Sequence, residues 1–215
     1  MDALVRKTSE HVKELMAGEA SGHDWWHVYR VWQMAKRLGS ESGADMLAVE
    51  LGALLHDIAD WKFNGGDKDA GPRAAREWLE AIDADPGVVD HVGEIIATVS
   101  FEGAGVPDRP ATLEAEIVQD ADRLDAIGAI GIGRTFAFGG ARGREMHNPD
   151  VDPQFHDSFD SYKKSASPTI NHFHEKLFLL RDRMKTPAAR KIADERHRYM
   201  EEFVARFLGE WDGAL

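Results

Sequence analysis

The sequence predicts an all-α protein, one helical bundle over residues 1–215, and three observations predict it. Apolar residues recur at three- and four-residue intervals in segment after segment, the period of a helix with one face against a core. Helix signals frame these segments: Pro86, Thr112 and Pro187 open helical patterns, and Gly18 closes one. No alternation of apolar and polar residues persists long enough to suggest a sheet. With 215 residues, 43% apolar and 30% charged, the chain is long enough for one core and short for two, so a single domain is expected.

The first helix is predicted over residues 2–17, with Leu4, Val12, Leu15 and Met16 available for packing and Gly18 as the stop. Ser21 and Asp24 match a Ser-x-x-Asp start signal, which places His27 in the first turn of a second helix continuing through Val28, Val31, Ala35 and Leu38. Asp24 has two readings. It caps the helix while Trp25 and Trp26 enter the core, or it also orients the His27 imidazole by accepting its second N–H. Leu47, Leu51, Leu54 and Ile58 carry a third helix from Ala44 to Asp60, and Lys62 to Asp67 then break the pattern as a loop. Helices follow over Gly71–Ile82 and Pro86–Val99.

Thr112, after two prolines, caps a long helix. On it Leu113, Ile117, Ala121, Leu124 and Gly128 form one stripe, and Val118, Asp122 and Asp125 share a neighbouring face, while Asp120 points away. From Phe138 to Thr169, about thirty residues rich in Gly, Asp, Pro and Ser show no period, a length that is usually functional or disordered. This segment holds Arg142, Arg144, Lys163 and Lys164, so it reads as a lid that touches phosphate or as a solvated surface excursion. Two helices joined at Lys185 to Pro187 close the chain, with Ile192, Tyr199, Phe203 and Phe207 as core. His172, His174 and His197 read as packed or surface histidines.

Composition limits the function. No run of about 18 apolar residues could span a bilayer, and the charged, amphipathic N-terminus is unlike a secretory signal, so no membrane partner and a cytoplasmic location are expected. There is no cysteine, so any metal must be held by nitrogen and oxygen. A net charge of −12 argues against a nucleic-acid partner, whose phosphates need a basic face, but leaves room for a small anionic substrate beside a few local Arg or Lys residues. An oligomer is compatible with the sequence.

The stretch LLHDIADWKF sets His56 and Asp57 side by side after the small residues Gly52 and Ala53, which permit a close approach. Side chains of neighbours on a helix point about 100° apart, so the pair converges on one ion only where the helix lies against it. His27 upstream and Asp122 or Asp125 downstream supply the partners, an imidazole and a carboxylate from two further helices. This order of residues resembles the HD-domain superfamily of metal-dependent phosphohydrolases. The segments GHDWWHVYRVW, LLHDIADWKF, QDADRLDAIGAIGIGRTFAFGG, HFHEKLFLLRDRMKT and RHRYMEEFVARFLGEW look like a bacterial subgroup that cleaves nucleoside triphosphates, deoxynucleotides included, to monophosphate and pyrophosphate. The resemblance runs in order over most of the chain and is weakest over Asp67 to Thr112 and Asn148 to Ser167.

The resemblance implies an HD-type bundle in which His27, His56, Asp57 and Asp122 bind one divalent ion. It selects Asp122 because the superfamily sets its last aspartate before a basic residue and a leucine, as in Ala121-Asp122-Arg123-Leu124. Two imidazoles and two carboxylates suit Mn²⁺, Fe²⁺, Co²⁺, Ni²⁺ or Zn²⁺ better than Mg²⁺, which prefers oxygen alone. A metal-activated water would then attack phosphorus. HD hydrolases commonly carry an acidic residue shortly after the His-Asp pair, so Asp60, one helical turn past Asp57, is expected to transfer the proton. Lys62 is expected to hold a phosphate oxygen, with Arg30, Arg123, Arg142 and Arg144 as further phosphate contacts. Alternatives on the same scaffold are a nucleotide phosphatase or phosphodiesterase, a di-iron oxygenase using His23 and His91 as extra ligands, and a non-catalytic nucleotide sensor.

Overall fold

The computed structural model describes residues 2–18, 24–59, 67, 69–99, 107–108, 110–155 and 167–215. Among them are α1 (Ala3–Leu15), α2 (Trp25–Gly39), α3 (Met46–Leu55), α4 (Ala70–Ala81), α5 (Pro86–Val99), α6 (Leu113–Asp125), α7 (Gly128–Ala141), α8 (Asn171–Glu175), a 3-10 helix (Leu177–Arg183) and α9 (Pro187–Trp211), with no strand among the described residues. The all-α fold follows the predicted periodicity. Backbone contacts gather in two compact units, Met1–Phe101 with Asp108–Asp122, and Glu102–Pro107 with Arg123–Leu215. No helix of the described residues is long and apolar enough to cross a membrane.

In the first unit α3 is the hub. It packs against α1, α2 and α5, and Ala48, Val49, Leu51, Gly52, Ala53, Leu54 and Leu55 are all buried, as expected of a helix apolar on every side. A Cβ on Gly52 would stand 3.0 Å from Ile95 Cγ2 of α5 and 3.4 Å from Val118 Cγ2 of α6. The missing side chain therefore lets three helices meet. Gly52 lies one turn before His56 and Val118 one turn before Asp122, so this close approach also brings the two prospective ligands together. Gly52→Leu is expected to cost about 1–3 kcal/mol of stability through overpacking and to weaken metal binding with it. Urea unfolding checks the first effect, and a midpoint equal to the parent's would show that the contact yields.

Hydrogen bonds seat α6 within this unit. Gln119 Nε2 donates to the Thr98 carbonyl at 2.8 Å, covering the end of α5, and Thr112 Oγ1 accepts from the Ala115 N–H as the predicted cap. The Asp45 N–H donates to Glu114 Oε1 at 2.9 Å. Burial alone would raise the Glu114 carboxyl, but the Asp45 N–H, its own N–H, His91 and Thr112 together hold it below the usual range.

Several element ends differ from the sequence reading. α3 stops at Leu55 rather than Asp60: the Ile58 N–H bonds the Leu55 carbonyl three residues back, so residues 56–59 form a tight turn. α6 stops at Asp125 rather than running to Gly128. Gly128 adopts φ +77°, a conformation open to glycine, and a Cβ there would also meet Arg196 Cγ at 2.9 Å. Trp26 is 59% exposed, not core, and Trp25 is half-buried.

The second unit is built on aromatic packing. Phe136 of α7, Phe173 of α8 and Phe203 of α9 form a ring cluster with centroids 6.0–6.4 Å apart. Thr186 caps α9 by accepting from the Ala189 N–H. The fully buried residues of α9 are Ala189, Ala193, His197, Met200 and Val204; of the residues expected in the core, Phe203 and Phe207 pack half-buried in the ring cluster, Ile192 is half-buried and Tyr199 is exposed. α7 continues to Ala141, so the irregular stretch begins at Arg142 rather than Phe138. Its described ends are tied down: the Thr169 and Ile170 N–H groups donate to the Glu145 and Met146 carbonyls, and Glu175 Oε1 accepts from both the Gln154 N–H and Ser167 Oγ. Ser21, His23, Asp60, Lys62, Lys163 and Lys164 lie outside the described residues.

Candidate metal centre

α2 delivers His27 from its first turn, where Asp24 caps the helix. The Asp24 carboxylate accepts from the His27 backbone N–H at 2.9 Å. His27 is completely buried. The end of α3 and the turn that follows it deliver His56 and Asp57. α6 delivers Asp122.

The four side chains converge within the first unit. His27 Nε2 lies 3.1 Å from His56 Nε2, 3.3 Å from Asp57 Oδ2 and 3.5 Å from Asp122 Oδ1. His56 Nε2 lies 3.5 Å from Asp57 Oδ2 and 3.8 Å from Asp122 Oδ1. His27, His56 and Asp57 each offer an atom within 4.8 Å of the others. Two ligands at about 2.1 Å from one ion, separated by 90–109°, stand about 3.0–3.4 Å apart; His27 meets this spacing with His56 and with Asp57, the remaining pair of that trio is 3.5 Å apart, and Asp122 stands slightly wider at 3.5 and 3.8 Å.

His56 provides the chemical test of that fit. Its Nδ1 lies 2.8 Å from the Ala53 carbonyl, which can only accept, so the proton sits on Nδ1 and the Nε2 lone pair faces the cluster. This is the usual orientation of a metal-binding imidazole supported from behind by a carbonyl. The imidazoles are closed off, with side-chain exposures of 0% and 2%, whereas Asp57 and Asp122 are 13% and 30% exposed. The open side of the centre is therefore its carboxylate side.

Asp125, the alternative carboxylate, is engaged elsewhere. It accepts from Arg134 Nη1 at 2.9 Å in a largely buried ion pair. His91, a ligand candidate for a two-iron centre, instead lies 3.4 Å from Glu114 Oε2 and from Thr112 Oγ1. It thus faces the start of α6, more than two turns from Asp122.

The proposed phosphate contacts divide. Arg30 is half-buried on α2, one turn after His27. Arg123 is only 2% exposed and donates through Nη1 to the Arg183 carbonyl at 3.0 Å, the geometry of a structural residue. Arg142 and Arg144, in the second unit, both set their guanidinium over the Phe138 ring, at 5.3 and 5.7 Å. Sequence reasoning missed the Ala53 carbonyl, which has no side-chain signal, and the Arg134 partner of Asp125, nine positions away on the next helix.

Comparison with known proteins agrees with this geometry. The HD domain family model matches residues 25–127, a span containing all four convergent residues. The chain is 37% identical over 194 residues to the uncharacterized protein YpgQ of Bacillus subtilis, covering 90% of this chain and 86% of that protein. The crystal structure of YpgQ in complex with ADP matches with a TM-score of 0.74 and 34% identity, covering 96% of both chains. An HD-superfamily hydrolase from Bacillus thuringiensis matches with a TM-score of 0.73 and 42% identity over 97% of this chain and 96% of its own. A Lactobacillus plantarum protein reaches a TM-score of 0.88 at 31% identity over 99% of both chains.

Proposed function

The chain belongs to the HD superfamily of hydrolases, and from that membership we propose that it hydrolyses nucleoside triphosphates, deoxynucleotides included, to monophosphate and pyrophosphate. It is a phosphohydrolase; the nucleotide and the bond cleaved are the added steps. The observation that carries the proposal is the convergence of His27, His56, Asp57 and Asp122 on one point with their carboxylates toward the open side. The ADP held by YpgQ, at 34% identity, supports a nucleotide as the ligand class.

His27, His56, Asp57 and Asp122 would hold one divalent ion, and their nitrogen and oxygen donors suit Mn²⁺, Fe²⁺, Co²⁺, Ni²⁺ or Zn²⁺ more than Mg²⁺. Such an ion supplies Lewis acidity and a water of lowered pKa. Asp60 takes the proton of the attacking water, Lys62 holds a non-bridging phosphate oxygen, and Arg30, Arg142 and Arg144 offer positive charge to the polyphosphate. In the balanced reaction the water oxygen bonds to the α-phosphorus, the bridging α–β bond breaks and pyrophosphate leaves. A diphosphate leaving group needs less protonation than an alkoxide, which suits a site with a single acid.

Hydrolysis in ¹⁸O-water tests the position of attack. The expected result is label in the monophosphate. Label found only in pyrophosphate would mean attack at the β-phosphorus, and release of single phosphates would favour the phosphatase reading.

A further inference from the structure

Of the large apolar side chains left exposed among the described residues of the first unit, Leu15, Trp26, Tyr29 and Leu113, the two aromatic ones are neighbours on α2. Trp26 is 59% exposed and Tyr29 39%. Their rings meet edge-on with centroids 5.9 Å apart. Tyr29 in turn meets Trp25 at 6.1 Å and, edge-on, Trp32 at 6.2 Å. Trp32 is buried and donates through Nε1 to Glu50 Oε2 of α3 at 2.8 Å. The exposed indole is therefore the outer end of a row of rings whose inner end is fixed by a hydrogen bond. A wide, flat side chain with few torsions, propped by its neighbour, loses little freedom when a ligand covers it.

The place of this ring on α2 ties it to the metal centre. Each residue turns a helix by about 100°, so going round the axis from His27 one meets Arg30 after about 60° and Trp26 after about 100°. Exposure rises in the same order: His27 is fully buried, Arg30 half-buried and Trp26 exposed. A buried metal ligand, a cation and an open aromatic face thus follow one another across the first two turns of one helix. A nucleotide has its phosphate, sugar and base in the same order, and only the sugar separates the α-phosphate from the base. α2 carries no acidic residue, so within a chain of net charge −12 this helix offers no carboxylate of its own to repel a polyphosphate.

We propose that Trp26 is the stacking platform for the nucleobase of the substrate. The inference rests on the nucleotide-hydrolase reading for the identity of the ligand, and it gives that reading its base-recognition element. Every base offers a π-face, so an indole favours any nucleoside triphosphate over bare polyphosphate without choosing among the bases. Trp26 is a binding residue and takes no part in the bond-breaking step.

The test uses the full chain with Mn²⁺ and two probes, the non-hydrolysable α,β-methylene analogue of deoxyadenosine triphosphate and inorganic tripolyphosphate, each followed by calorimetry. The wild-type chain is expected to bind the nucleotide analogue more tightly than tripolyphosphate. Trp26→Ala should weaken binding of the analogue roughly tenfold or more, the usual worth of stacking a base on an aromatic side chain, and leave tripolyphosphate binding unchanged. Trp26→Phe should keep most of the affinity, and Trp26→Leu, apolar but without a ring, should bind like Trp26→Ala. Equal weakening of both probes would overturn the proposal, since it would mark a shift in the seating of α2 and not the loss of a base contact. Unchanged binding of the analogue to Trp26→Ala would overturn it as well. A wild-type chain that shows the base-dependent difference yet hydrolyses no nucleoside triphosphate would sink the hydrolase reading and leave the platform standing.

Discussion

Asp122→Ala is expected to lose its metal, by more than the roughly 10- to 100-fold that removing a mere supporting residue costs, while Asp125→Ala keeps it. The two aspartates share a helix face, yet their surroundings separate them. Asp122 Oδ1 lies 3.5 Å from His27 Nε2 and 3.8 Å from His56 Nε2. Asp125 is spent on Arg134 at 2.9 Å, with side-chain exposures of 17% for the arginine and 6% for the aspartate. Removing Asp125 takes a carboxylate partner from a largely buried guanidinium and should lower stability by about 3 kcal/mol with metal content intact. Metal per chain after dialysis against Mn²⁺, read beside urea unfolding, separates the two effects. Metal lost from Asp125→Ala and kept by Asp122→Ala would reverse the assignment.

Much of this centre was legible because the ligand types and the helices that carry them leave marks in sequence. His27 follows a capping aspartate, His56-Asp57 ends an apolar run, and Asp122 lies on a striped helix; each element is where its periodicity puts it. What sequence could not reveal is how the elements end. Ile58 keeps the apolar period of α3 going, so the pattern reads through to Asp60, whereas the regular helix ends at Leu55 and the backbone goes on as a turn with the Ile58 N–H on the Leu55 carbonyl. Gly128 fits the stripe of α6 as a small residue, but its φ of +77° begins a new helix. In α9 the buried face runs through Ala193, Met200 and Val204 with Phe203 and Phe207 packed at its edge, and Tyr199 is left outside. Gly52 was recognised as allowing close approach; the identity of what approaches, Ile95 and Val118, depends on tertiary packing.

The same turn changes the basis for Asp60. With α3 ending at Leu55, position 60 cannot be assigned to the face of Asp57 by helical spacing, and Asp60 itself lies outside the described residues. The case for it becomes one of chemistry and of family resemblance. The proton on His56 is committed to the Ala53 carbonyl, and His27 is fully buried within the cluster. If the four residues hold an ion as proposed, none of them would accept a proton from water without giving up that hold. Asp60 is the next acid in the chain, and the proposal gives it that role. Asp60→Asn preserves shape and hydrogen-bonding capacity while removing the site that takes the proton. It is therefore expected to keep metal content and substrate affinity while kcat falls roughly 10²- to 10⁴-fold, the usual contribution of a positioned acid or base. Steady-state kinetics with metal analysis on the same preparation makes the measurement. Turnover near that of the parent would remove Asp60 from the mechanism and leave proton transfer to another residue or to solvent.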